Sequence, residues 1–216
     1  AALVSTERVI EQMRAIKDVE EIERLRRAGQ MISAVAREAR KWVVPGATEL
    51  DVAAAVDAAM RSAGFERPAF DTIVASGPNA ALPHARPTRR TLAEGEGVVL
   101  DFGGVYDGYC VDLTRTVMLG GVPAQFRRMF EAVREAQAAA IDAVVPGAGA
   151  ADIDGAARRV LETHGLAAAF GHGTGHGLGL EVHEDPRISR TVPADERVQA
   201  GMVFTIEPGA YVPGLG

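Results

Sequence analysis

The sequence predicts an α+β fold of two pseudo-symmetric ααββ-type halves, each a pair of helices followed by strands, and three observations predict it. Val43-Val44-Pro45-Gly46-Ala47 recurs as Val144-Val145-Pro146-Gly147-Ala148, each time between the two helices of a pair. Gly97-Val98-Val99-Leu100 is echoed by Gly201-Met202-Val203-Phe204 at nearly the same offset. Helical and extended periodicities run in the order helix, helix, strands, twice over. Two matches in the same order argue against chance in an Ala/Val/Gly-rich chain. The halves are expected to share one curved antiparallel sheet, with helices on one face and a cleft on the other.

The first helix opens at Asp18, where Glu21 completes a capping box, and its apolar stripe runs through Ile22, Leu25, Ile32, Val35 and Ala39. A second follows Thr48, with Leu50, Val52, Val56 and Met60 on its stripe, and stops near Gly64. A third begins after Pro123, with Phe126, Phe130, Val133 and Ile141, and ends before Pro146. The fourth spans Asp152 to His164 and is stopped by Gly165. Strands are expected at Asp71–Ser76, Val98–Gly103, Tyr109–Leu119, Gly171–Val182 and Met202–Ile206.

Composition narrows the function. The 216 residues are 47% hydrophobic and 24% charged, which excludes wholesale disorder. No apolar run nears the roughly 18 residues of a membrane span. A net charge of -6 argues against a nucleic-acid surface. Lys and Arg cluster in ERLRRAG and PTRRT, but such runs are ordinarily solvated faces. The single cysteine, Cys110, excludes an internal disulfide and fits a reducing, cytoplasmic setting. The expected partner is small.

The chemistry gathers at strand ends. Asp101 closes the apolar run Val98-Val99-Leu100, where a carboxylate is costly to bury without a partner. Asp107-Gly108 is a type I′ hairpin signal, and with that turn residue 103 opposes residue 112. Asp101 and Asp112 then become diagonal neighbours on one face. Like charges that close repel unless a cation sits between them. Two surface aspartates would be the plainer reading, and it suits Asp107 better than Asp101. Cys110 is expected to point away from the face of Asp112.

Glycine fills every second position from 171 to 179, which forbids a stable helix but clears one face of a strand. His172, Thr174 and His176 then project together from the other face, with His183 a little further on. A lone histidine is usually a satisfied polar side chain; three on so short a stretch are a cluster. His164 has no such company and reads as a helix end. Glu207 ends the apolar run Met202-Val203-Phe204-Thr205-Ile206, with Pro208 removing the next ladder donor. Two Asp, one Glu and one His suit Mn²⁺, Fe²⁺, Co²⁺ or Zn²⁺. No G-x-S-x-G or cysteine nucleophile context points to covalent catalysis.

These residues, in the order LDFGG, VDLTRT, GHGTGHGLGLEVHE and FTIEPG, resemble the pita-bread metallopeptidases: aminopeptidase P, prolidase (Xaa-Pro dipeptidase) and methionine aminopeptidase. The likeness runs from about Ile16 to the end of the chain. It implies two divalent ions, with Mn²⁺ preferred, on Asp101, Asp112, His176 and Glu207, with Asp112 bridging both. It gives Glu207 the further part of general base. His84 would bind substrate and handle protons near the scissile amide, and His183 would stabilise the tetrahedral intermediate. His172 favours the prolyl branch and would contact substrate.

The implied activity is hydrolysis of the amino-terminal Xaa-Pro bond of peptides or dipeptides. The alternatives are a methionine or other aminopeptidase of the same fold, and a non-catalytic peptide-binding member. Residues 1–16 are similar to the end of, or linker from, an amino-terminal domain, and 17–216 to the catalytic domain. The family's fifth ligand is a bridging glutamate on a later strand. No acidic residue follows Glu207, so that domain is expected to be incomplete at its carboxyl end. The resemblance is compatible with a homodimer.

Overall fold

The computed structural model describes residues 6–216, so residues 1–5 of the expected linker lie outside the described residues. Its helices are α1 (Val9–Ala15), α2 (Val19–Ala39), α3 (Glu49–Ala63), α4 (Ala124–Asp142) and α5 (Ala150–Thr163). Helix α2 starts where the sequence places it: Asp18 accepts from the Glu21 amide, and the Glu21 side chain accepts from the Asp18 amide. Thr48 and Asp51 make the same reciprocal cap on α3, and Gly64 closes that helix in the left-handed region.

Two stripe assignments change. Leu50 faces solvent, because the buried face of α3 is set by Glu49, Val52, Ala53, Val56 and Met60. Ile141 is likewise exposed, and α4 packs through Phe126, Met129, Ala132, Ala136 and Ala140. Alanines on that face let α4 and α5 approach closely. Helix α1 has no apolar stripe to announce it, since Val9, Ile10 and Met13 are exposed and Ala15 is buried. Charge holds it instead. Arg14 and Lys17 both pair with Glu184, and the Lys17 and Glu184 side chains are only 1% and 7% exposed.

Strands β1 (Arg67–Pro68), β2 (Ile73–Ser76), β3 (Glu96–Tyr106) and β4 (Tyr109–Leu119) form an antiparallel sheet centred on β3. Asp107 and Gly108 both have positive φ, at 48° and 78°, as a type I′ turn requires. The turn sets the register Gly103↔Asp112 and Asp101↔Thr114. Val98, Leu100 and Phe102 are fully buried in a core with Leu25, Ile32, Val35, Val52 and Val56 of α2 and α3. Side chains alternate along a strand, so Asp101 leaves on the opposite face.

The second half is less regular. The strand expected over residues 171–182 is reduced to β5 (Gly175–Gly177), paired with β6 (Glu184–Ile188) through a register shift at His176/Gly177. The stretch expected as a strand over 202–206 carries a single bridge, Gly177↔Phe204. Its amides nonetheless run antiparallel to residues 174–178: Thr205 N–H donates to His176 O at 2.8 Å and Glu207 N–H to Thr174 O at 2.7 Å. The sheet is therefore laddered in two parts, joined where Cys110 N–H donates to Gly179 O.

The glycine alternation has a direct cause here. A Cβ on Gly175 would lie 1.9 Å from Thr205 O, and one on Gly177 would lie 2.2 Å from Asp185 O. Backbone occupies the space that side chains would need.

The repeat extends to individual hydrogen bonds. Gly46 N–H donates to Leu92 O and Leu92 N–H to Ala47 O; Gly147 N–H donates to Val198 O and Val198 N–H to Ala148 O. Gly46 and Gly147 share a φ of 92° and 91°. Thr48↔Thr91 and Gly149↔Arg197 are matching isolated bridges.

Candidate metal centre

A cleft of about 1540 Å³ is lined by both halves, and the predicted acids and histidines line it. From the hairpin come Asp101 and Asp112. From the antiparallel segments of the second half come His176 and Glu207. His176 Nε2 stands 3.1 Å from Glu207 Oε1 and 3.5 Å from Asp112 Oδ2. Asp112, His176 and Glu207 each offer an atom within 4.8 Å of the others. Asp101 lies against them, on the Asp112 face.

The electrostatics follow from this crowding. Burial first, and then the charges of Asp112 and Glu207, push the Asp101 carboxyl up to about 7, although a 3.0 Å hydrogen bond from Thr114 opposes the shift. Burial would lower His176, but hydrogen bonds to Asp112 and Glu207 outweigh it and carry the imidazole to about 10. Burial would raise Glu207, yet contact with His176 and a 3.0 Å bond from Thr205 bring it below its usual value. Three carboxylates share one spot with a single imidazole as counter-charge. This donor set fits a divalent cation of the kind oxygen-rich sites select, which would offset the repulsion that adds to burial in raising Asp101.

The other histidines are placed differently. His183 is largely exposed, its ring centroid 4.2 Å from that of His176, and partial desolvation of the ring on the cleft side together with the His176 charge lowers its pKa. His172 stands aside from the cluster: its Nε2 meets the Tyr211 hydroxyl at 3.1 Å and its Nδ1 meets Gly173 O at 2.7 Å. His84 sits on an exposed loop of the cleft wall and makes no hydrogen bond to the cluster among the described residues. His164 ends α5 and pairs with Glu135, away from the cleft.

One orientation needs correcting. Cys110 precedes Asp112 by two residues on β4 and so shares its face rather than opposing it. It is nonetheless buried, with Sγ toward Leu180 O, and burial pushes its thiol pKa up.

Three side chains were missed. Thr114 and Thr205 lie two residues from Asp112 and Glu207, so the period of a strand alone could have put them on the same face. Tyr211 had no such signal. Burial, then the charges of Glu207 and Asp101, push its phenol up to about 12.

Comparison with known proteins finds relatives over nearly the whole chain. The model of metallopeptidase family M24 matches residues 23–216. An Xaa-Pro dipeptidase of Pyrococcus furiosus is 43% identical over 209 residues, covering 96% of this chain and 59% of that protein. An X-Pro aminopeptidase structure from Thermotoga maritima superposes with a TM-score of 0.92 at 37% identity, over 98% of this chain and 59% of that one. An Xaa-Pro dipeptidase structure from Bacillus anthracis gives 0.94 at 36% identity, with 98% and 59% covered. The chain thus spans about three-fifths of the length of these relatives. The fold they share is the pita-bread α+β fold.

Proposed function

The chain belongs to metallopeptidase family M24, and from that premise we propose that it hydrolyses the amino-terminal Xaa-Pro bond of short peptides or dipeptides with two divalent metal ions. The observation that carries the reading is the convergence of Asp112, His176 and Glu207 within 4.8 Å, with Asp101 beside them. The relatives are named for the activities Xaa-Pro dipeptidase and X-Pro aminopeptidase, which supports the same reading.

In this reading Asp101, Asp112, His176 and Glu207 hold the ions, with Mn²⁺ preferred over Co²⁺, Zn²⁺ or Fe²⁺. When bound there, the ions would supply Lewis-acid chemistry at the scissile carbonyl and at the attacking water. Glu207 takes the proton of the attacking water. His183 offers a ring N–H to the oxygen that gains charge. His84, exposed on the cleft wall, meets the substrate and passes a proton toward the leaving nitrogen. His172, braced by Tyr211, lies on the substrate side of the cluster.

Residues 17–216 form the catalytic domain in this proposal. Its partner is a peptide, not nucleic acid or membrane, in the cytoplasm, and a homodimer is compatible with it. Among the described residues no helix is long and apolar enough to cross a membrane.

The test is to load the purified protein with Mn²⁺ and compare Xaa-Pro dipeptides, Xaa-Pro-Yaa tripeptides and Met-Ala peptides. Release of the first residue from the prolyl substrates is expected. Bound metal without any such release sinks the proposal, and preference for Met-Ala moves the protein to the methionine branch.

A further inference from the structure

Two carboxylates are wholly buried outside the cluster, Glu49 on α3 and Asp154 on α5. Each sits on the second helix of its half, and each is surrounded by donors. Glu49 accepts from Ser76, Asn79 and Thr88, at the two ends of the loop that carries His84. Asp154 faces the glycine-rich segment that carries His172 and His176.

That segment needs ordering from outside. Its glycines lose more freedom on folding than any other residue, and residues 170–174 precede the short β5 ladder. Asp154 Oδ1 accepts from Thr174 N–H at 3.0 Å and from its hydroxyl at 2.8 Å. Asp154 Oδ2 accepts from Arg158 Nε at 2.6 Å and from Arg190 N–H at 3.0 Å. Arg158 then donates to Phe170 O at 3.2 Å and His172 O at 2.5 Å, its guanidinium over the Phe170 ring. Charge-assisted bonds of this kind are the strong ones. The chain continues to the cluster, because Thr174 O accepts the Glu207 amide at 2.7 Å.

We infer that Asp154, acting through Arg158 and Thr174, is the positioning residue that fixes where His172, His176 and Glu207 stand. It is buried behind the cleft lining; it holds the backbone on both sides of His172 and the Thr174 that Glu207 pairs with. The inference rests on the proposed reading of the cluster as the active site.

The experiment compares metal-free wild type with Asp154→Ala, Asp154→Asn and Arg158→Met. It records the side-chain nitrogen resonances of the histidines by NMR and Mn²⁺ affinity by calorimetry. Glu49→Gln serves as a control for loss of a buried carboxylate elsewhere. The expected result is that His172 and His176 resonances move in all three Asp154 and Arg158 variants, while His164 stays. Mn²⁺ affinity should fall roughly 10- to 100-fold, as for other groups that orient ligands. Glu49→Gln should leave His172 and His176 unmoved.

Arg158→Met keeps the buried carboxylate and serves if the Asp154 variants do not fold. Unmoved His172 and His176 resonances in any folded variant of Asp154 or Arg158 overturn the inference. Equal shifts in Glu49→Gln overturn it too, by showing a general loss of packing. Failure of wild type to bind Mn²⁺ would count against the proposed function alone, since the histidine resonances are read without metal.

Discussion

His176 Nε2 and Glu207 Oε1 lie 3.1 Å apart on two extended segments that pair antiparallel through Thr205 N–H and His176 O. That bond and the one from Glu207 N–H to Thr174 O hold the two segments in the register at which the His176 and Glu207 side chains meet. Glu207→Gln keeps the shape and removes the charge. Loss of kcat by about 10²- to 10⁴-fold is expected if Glu207 is the general base, together with reduced metal content by elemental analysis. Near wild-type kcat in a metal-loaded variant would remove Glu207 from that role.

The metal-free protein should lose stability as pH rises. Asp101 has its folded pKa raised to about 7 from an ordinary 3.8, so the folded state binds the extra proton between those values. Its contribution is full at the acid end and is lost as pH climbs to 7. His176, raised from 6.5 to about 10, contributes fully below 6.5 and loses that contribution on the way to 10. Glu207 and Glu49, both lowered, act oppositely near pH 4. The clean comparison is Tm against pH for chelator-treated wild type and Asp101→Asn. The variant should show a flatter curve between pH 4 and 7, and parallel curves would contradict the shift.

Two glycines four residues apart should respond in opposite ways. Gly175→Ala drives a Cβ into Thr205 O and should cost about 1–3 kcal/mol. At Gly171 a Cβ meets nothing within 4 Å, and Gly171→Ala should stay within about 0.5 kcal/mol of wild type. Urea denaturation of both variants checks the contrast; equal costs would mean the alternation has another cause.

Lys17→Met should destabilise by about 3 kcal/mol, because it strips one partner from the buried Glu184 carboxylate. Adding Glu184→Gln should recover part of the loss, since it removes a buried charge left with Arg14 in place of two cationic partners. A double variant as unstable as the sum of two singles would show the pair to be uncoupled.

What the chain discloses in its letters is whatever is decided locally. Asp18-x-x-Glu21 and Thr48-x-x-Asp51 cap their helices with neighbours in sequence. Asp107-Gly108 sets a register, and register alone made Asp101 and Asp112 diagonal. The remainder depended on distant contacts. Leu50 and Ile141 looked like core, yet alanines hold the interior of α4, and alanine draws no stripe. The segment 171–182 reads as one long strand, but only Gly175–Gly177 ladders, against β6 through a register shift that no local pattern announces. Tyr211 and Asp154 resemble any solvated tyrosine or helical aspartate until the fold surrounds them.

Glu184 is gripped by Arg14 and Lys17 from the front of the chain, and its immediate neighbour His183 looks onto His176. The stretch ahead of α2 is thereby fastened to the rim of the cleft, next to the imidazole pair.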